Sequence, residues 1–362
     1  MIDHTKPRRS SDFPRIMCEM TSREIVRRAI DGTRPRRMPV TMPSLGVSDV
    51  GGITVKPAPD FAPDIPGMDE WHCVWDKTET ENMGQVTGHP LESLDDLASF
   101  QPPSFHQDER YEDCEEQLCR LESADKYIRC GIFMVLFERM HSLHGFENTL
   151  VDLYADRERL ERLADRIVET QISLVREVSR RFPGRIHGWG MSDDWGTQQA
   201  AFISRDLWMD FFFPRYKRIF DAMHDAGCDV WVHSCGKINE IIECYIQAGV
   251  NVVNLQQPRA LGIEEIGNRY RGRIAFESLA DIQSTLPSGD VAAIEADVEA
   301  LCRHWASPEG GFIFSDYGDG NAIGVADPGV KQTMYNAFSR WSERLYGIEL
   351  PRVNEEDQPG VR

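Results

Sequence analysis

From residue 127 onward the chain repeats one alternation, a short apolar run followed by a long amphipathic stretch, and this rhythm limits the fold more than any other feature. The runs are Tyr127 to Val135, Ile186 to Met191, Asp229 to His233, Val252 to Leu255, Arg273 to Phe276 and Gly311 to Phe314. Helical spacing of apolar residues fills the gaps at about Asn148 to Arg181, Arg205 to Ala226, Ile238 to Ala248, Ile263 to Tyr270 and Val291 to Trp305, with a last helix from Val330 to Tyr346. Strands that alternate with helices of this length build βαβ units and a parallel sheet. With Met38 to Leu45 the strands number seven, and an eighth must come from the irregular region before residue 127. The count points to a closed, distorted (β/α)8 TIM-type barrel rather than an open doubly wound sheet. No Gly-x-Gly-x-x-Gly or P-loop sequence follows any of these runs, so the nucleotide-binding folds lose their usual support.

The region before residue 127 is less regular. Residues 1–19 mix Pro, Ser and charges without periodicity and read as a flexible tail. Thr21 with Glu24 three residues on forms a capping-box pattern, and Ile25, Val26, Ala29 and Ile30 recur at helical spacing up to Gly32. A Gly/Pro-rich segment then leads to a Trp/Thr-rich stretch, Glu70 to Val86, that alternates like a hairpin, and an acidic helical region follows from Asp108 to Glu122. This hairpin-containing insertion is positioned to cover one end of a barrel. The barrel domain is expected over residues 20–348, with 349–362 as a C-terminal tail. A length of 362 residues at 41% hydrophobic content suffices for one large core. Phe211, Phe212 and Phe213 before Pro214 read as helix packing, with a kink at the proline.

Composition excludes several partners. A net charge of -19 repels a phosphate backbone, so no nucleic acid is expected. No stretch reaches the roughly 18 apolar residues that span a bilayer, and the first residues lack the apolar core of a secretory signal. The 9 cysteines are scattered without a Cys-x-x-Cys pair, which fits reduced thiols and a cytoplasmic location.

In a (β/α)8 barrel the reactive groups come from the carboxyl ends of the strands. Reading past each apolar run gives Asp193, Asp194 and Trp195, then His233, Ser234 and Cys235, then Gln256 and Gln257, then Glu277, then Ser315, Asp316 and Tyr317. His233 and Cys235, two apart on an extended segment, face one side and can reach one ion; a hydrogen-bonded mouth histidine beside a packing thiol is the plain alternative. Asp193 and Asp194 suit general acid, base or substrate-orienting work, and equally suit a helix cap. Consecutive residues diverge, so one of the two at most faces the site. Glu277 sits in an apolar run and needs a partner, either a substrate or metal group or an arginine. Trp195, Gln198, Gln256, Gln257 and Tyr317 are candidate substrate contacts. His141 and His144 have no acidic or cysteine companion nearby in sequence and read as structural.

At these residues the chain resembles a known superfamily. The blocks Met20-Thr-Ser-Arg-Glu-Ile-Val, Arg37-Met-Pro-Val, Asp69-Glu-Trp-His-Cys-Val-Trp, Asp193-Asp-Trp-Gly-Thr-Gln, Val232-His-Ser-Cys-Gly, Asn254-Leu-Gln-Gln-Pro and Asp281-Ile-Gln-Ser-Thr-Leu-Pro are together similar to uroporphyrinogen decarboxylase-like proteins. The resemblance implies a distorted (β/α)8 barrel and two kinds of activity. True decarboxylases carry an Arg-Gln-Ala-Gly-Arg motif after the first strand to hold substrate carboxylates; here the stretch reads Met42-Pro-Ser-Leu-Gly-Val-Ser, without arginine. The methyltransferase-like branch holds zinc through a His-x-Cys motif that matches His233 and Cys235, and a further cysteine near the last strand. This chain has Phe314-Ser-Asp-Tyr there, so Asp316 or Glu277 would complete the set. The implied function is methyl transfer, zinc-assisted and linked to a corrinoid in an O-demethylation system; the chain lacks the Asp-x-His-x-x-Gly corrinoid motif, so the corrinoid would ride on a separate protein. A metal-free decarboxylase of a small acid is the alternative, with Asp193, Asp194 and His233 at work. A homodimer is also compatible with the family.

Overall fold

The computed structural model describes residues 20–76 and 84–353. The expected N-terminal tail lies outside the described residues, as do residues 354–362 of the expected C-terminal one. Eight parallel strands form the ring: β1 (Val40–Met42), β2 (Val50–Ile53), β3 (Tyr127–Ile132), β4 (Gly188–Ser192), β5 (Asp229–His233), β6 (Val252–Leu255), β7 (Ala275–Ser278) and β8 (Phe312–Ser315). The eighth strand missing from the sequence count is β2, whose Val-Gly-Gly-Ile is too short and glycine-rich to announce itself. Helices follow β3 to β8 and cover the outside, in the positions read from apolar spacing.

Between β1 and β2 there is no α-helix, only the 3-10 turn Pro43–Leu45. The chain instead turns back as Val47–Ser48, antiparallel to β1, and reverses again at Asp49. Asp49 seals this seam: its N–H donates to Val40 O at 2.7 Å, and its buried carboxylate accepts from Val40 N at 2.9 Å and from both Arg37 terminal nitrogens at 2.6 Å. Ring closure there rests on a side chain where a ladder of backbone bonds would normally stand.

Period-two alternation sends every second residue inward. Val50, Tyr127, Trp231, Val252, Ala275 and Ile313 form a separate apolar cluster inside the ring, joined by Val26 of the Ser22–Ile30 helix, and make its floor. The larger core lies between the sheet and the helices. Above the floor the inward positions Gly52, Gly131 and Gly190 carry no side chain, and a cavity of about 860 Å³ opens toward the carboxyl ends of the strands. The insertion roofs one side of it. Its hairpin pairs Val74–Asp76 with Gln85–Gly88, and Glu70, Trp71, Phe105 and Arg110 line the cavity wall. The N-terminal helix is capped as read, with Thr21 Oγ1 accepting from Glu24 N. Ahead of Pro214, Trp208–Phe212 forms a π-helical turn, the irregularity expected where proline removes a backbone donor. No described helix is long and apolar enough to cross a membrane.

Candidate active site

The seventh strand runs two residues past its apolar run, which places Glu277 within the ring, while His233 is the last residue of β5 as read. Register then aligns four inward residues in one row across β4 to β7: Ser192 opposite His233, His233 opposite Asn254, and Asn254 opposite Glu277. Their polar atoms connect. Arg129 Nη1 of β3 donates to Glu277 Oε2 at 3.4 Å, Asn254 Nδ2 donates to the same oxygen at 2.9 Å, and Asn254 Oδ1 lies 2.7 Å from His233 Nδ1. The amide orientation follows from the network: its NH2 end must face the carboxylate, so its oxygen faces the imidazole. His233 therefore carries its proton on Nδ1, and the Nε2 lone pair is free to bind.

That lone pair points at two further donors. Nε2 lies 3.3 Å from Cys235 Sγ and 3.6 Å from Asp194 Oδ1, and the three ligand atoms fall within 4.8 Å of one another. Asp194 is fixed by accepting from Cys235 N at 2.8 Å. Burial, with the neighbouring Asp194 charge second, pushes the Cys235 thiol well up, so the sulfur stays protonated until a cation replaces its proton. Imidazole, thiol and carboxylate converging from three positions are a donor set that could hold a metal ion of the zinc type.

Backbone contact between two loops brings these groups together. Gly236, after Cys235, has φ +81°, and a Cβ there would lie 2.1 Å from Gly196 O, so the loops after β4 and β5 touch main chain to main chain. Lys237 N donates to Thr197 O at 2.7 Å, and Gln257 Oε1 accepts from both Gly236 N at 2.8 Å and Gln198 Nε2 at 3.1 Å. Gln198 and Gln257 thus hold the His233 to Gly236 loop in place. Gln256 lines the cavity. Tyr317 is half-buried near the same donors, its phenol raised first by burial and then by Cys235.

Several sequence readings need correction. Asp194, read as catalytic, is the third residue of the potential ligand group, the place expected for Asp316. Asp316 lies 3.1 Å from Lys331 Nζ and outside the triad. Glu277 is held by Arg129 and Asn254, the salt-bridged alternative. Asp193 is fully buried and caps the Phe137–His144 helix: its carboxylate accepts from Leu136, Phe137 and Glu138 N–H groups at 3.0, 2.9 and 2.6 Å and from the Tyr216 hydroxyl. Every oxygen is occupied, which leaves it no contact for a substrate. Trp195 stacks on Phe137 at 4.1 Å in the core instead of lining the cavity. His144 bonds Leu91 O and Asp152, a structural role.

The sequence reading passes over three residues. Asn254 and Arg129 are polar interruptions of apolar strands, the same signal that singles out Glu277. Glu138, behind Asp194, is buried with one carboxyl oxygen unpartnered, and burial followed by the charges of Asp193 and Asp194 raises its pKa to about 8.

An eight-stranded barrel with a ligand triad at the carboxyl ends of its strands defines the class of protein. The family model described as uroporphyrinogen decarboxylase (URO-D) matches residues 84–316, and the chain belongs to that family. Among solved structures, a methyltransferase from Methanosarcina mazei is similar with a TM-score of 0.64 at 14% identity, over 90% of this chain and 99% of that one. A D-psicose 3-epimerase aligns at a TM-score of 0.36 and 12% identity, over 66% of this chain and 85% of that chain, too loosely to bear on function. No curated protein sequence matches.

Proposed function

We propose that the chain is a methyltransferase, in which a small methylated substrate sits in the barrel cavity with its methylated heteroatom against the open side of Asp194, His233 and Cys235. The observation that carries this reading is the convergence of those three ligand atoms, with His233 lining a cavity large enough for a small organic molecule. The family match and the barrel shared with the Methanosarcina methyltransferase support it. The donor set fits zinc, which when bound supplies positive charge that polarises a coordinated oxygen or sulfur.

The chain's own residues do the rest. Asn254, itself held by Glu277, orients the His233 ring so that Nε2 faces Cys235 and Asp194. A corrinoid carried by a partner protein would supply the nucleophile that takes the methyl group as a CH3+ equivalent. The freed heteroatom keeps the bonding electrons. Arg129 donates to Glu277 and lies over the Trp231 ring in the cavity wall, from which its guanidinium can anchor a substrate oxygen.

Two measurements test the reading. Elemental analysis should find stoichiometric zinc in the purified protein and little in His233→Ala, Cys235→Ser or Asp194→Ala. Methylation of cob(I)alamin, followed in the visible spectrum with candidate methyl ethers or thioethers, should fall with zinc content. A metal-free protein that transfers methyl groups at full rate, or zinc indifferent to all three substitutions, refutes it.

A further inference from the structure

Buried side-chain oxygens that accept or donate no hydrogen bond are rare, because each forfeits its hydration without full compensation. Five of them gather at the seam between β1 and β8: Thr41 Oγ1, Ser44 Oγ, Ser315 Oγ and both carboxylate oxygens of Asp316. Register places Thr41 opposite Ser315, and Thr41, Ser315 and Asp316 all line the cavity. Ser315 is 2% exposed, and the Asp316 side chain is likewise 2% exposed. Burial raises the Asp316 pKa, and nearby Ser44 and Lys331 offset part of that push. The contacts with Ser44 and with the Lys331 ammonium only partly satisfy the carboxylate, since no hydrogen bond of good geometry reaches either of its oxygens. Lys331 Nζ, in an ion pair with Asp316 Oδ1 at 3.1 Å, directs two of its three hydrogens to Tyr317 O at 2.7 Å and Gly318 O at 3.2 Å.

We infer that this cluster is a second binding subsite, which receives a neutral, hydroxyl-bearing end of the substrate while the methylated end faces the triad. The chemistry follows from the inventory. Asp316 can only accept while ionised, so the ligand must bring O–H or N–H donors; the Thr41 and Ser315 hydroxyls, which line the cavity, can then return bonds to its oxygens. Lys331 already neutralises the carboxylate, so a cationic group gains nothing from its charge here. The rest of the cavity wall includes Trp71, Phe105, Phe133 and Trp231, which favours a flat, aromatic frame for the group that carries the hydroxyls. This inference rests on the proposed methyl transfer only for its account of the other end of the substrate.

Resorcinol, its dimethyl ether and benzylammonium test it, with binding to the full chain measured by ligand-observed NMR and zinc content read in the same samples. Resorcinol should bind more tightly than the ether and the cation. Ser315→Ala and Thr41→Val should each weaken it several-fold, and Asp316→Asn by about 10- to 100-fold. Equal binding of resorcinol and its ether, tighter binding of benzylammonium, or resorcinol binding unchanged in Ser315→Ala and Thr41→Val overturns the subsite; the five oxygens are then served by water alone. Zinc-loaded protein that fails to discriminate sinks the subsite and spares the methyltransferase reading. Discrimination by a protein that never holds zinc does the reverse.

Discussion

Removal of the Asp193 carboxylate separates a structural from a catalytic role for that residue. Three backbone N–H groups and the Tyr216 hydroxyl converge on it inside the core, and it is fully buried. Asp193→Ala leaves four donors without an acceptor, each at about 1–3 kcal/mol, so a loss of about 4 kcal/mol is the lower bound. The helix Phe137–His144 also loses the negative charge at its N-terminus, on the order of 1 kcal/mol more. Unfolding entropy near 2.1 cal/mol/K per residue amounts to about 0.7 kcal/mol/K for a chain of this size, so Tm should fall by about 6 °C or more. Asp193→Asn keeps one acceptor oxygen but turns an NH2 toward donors, and should lose roughly half as much. Differential scanning calorimetry at a fixed scan rate gives both shifts. The reasoning fails if Asp193→Ala melts within a degree or two of the parent, or if Asp193→Asn melts like the parent yet has lost all activity, which is the signature of a catalytic acid.

Asn254→Leu should weaken zinc binding about 10- to 100-fold in a chelator competition, because the His233 Nδ1 proton loses its acceptor; Glu277→Gln should weaken it less and show non-additivity in the double variant. Gly236→Ala forces a Cβ to within 2.1 Å of Gly196 O at a left-handed φ, so zinc content and Tm should both drop, whereas Gly227→Ala, with nothing within 4 Å, should show only the modest strain of its own positive φ. Acid should destabilise the fold through His187, whose Nδ1 accepts from Ile128 N at 2.8 Å and whose pKa burial lowers from 6.5 to about 4. Between those two values the unfolded chain binds the extra proton, so stability declines as pH falls from about 6.5 to about 4, by on the order of 2 kcal/mol after allowance for partial exposure. Urea midpoints across that range should flatten in His187→Gln, and an unchanged slope contradicts the assignment.

Much of the barrel was legible because period-two runs and 3.6-period helices recur with little interruption from residue 127 to 346. The seam was not. β2 is four residues with two glycines, and the closure by Asp49 and Arg37 is a tertiary fact with no local periodicity. In the site, the His233 and Cys235 pair followed from spacing alone, since both project from one side of an extended segment. Their third partner did not, because the choice between Asp194, Glu277 and Asp316 depends on which loops touch, and that contact is made by Gly196 and Gly236 far apart in sequence. Likewise nothing local distinguishes Asp193 from Asp194. One turns into the core toward a helix terminus, and its neighbour turns out toward the mouth, as alternation along an extended chain requires.

The three side-chain-free positions in the barrel wall carry a consequence for how such a chain can change its diet. Gly52, Gly131 and Gly190 have ordinary negative-side backbone angles, and a methyl group on any of them would meet its nearest neighbours at 3.8 Å, a comfortable contact. Nothing in the architecture of the ring compels glycine there. Interior room is therefore held open by sequence choice alone, and single steps to alanine or serine could resize the chamber for smaller guests while the scaffold and its ligand triad stay as they are.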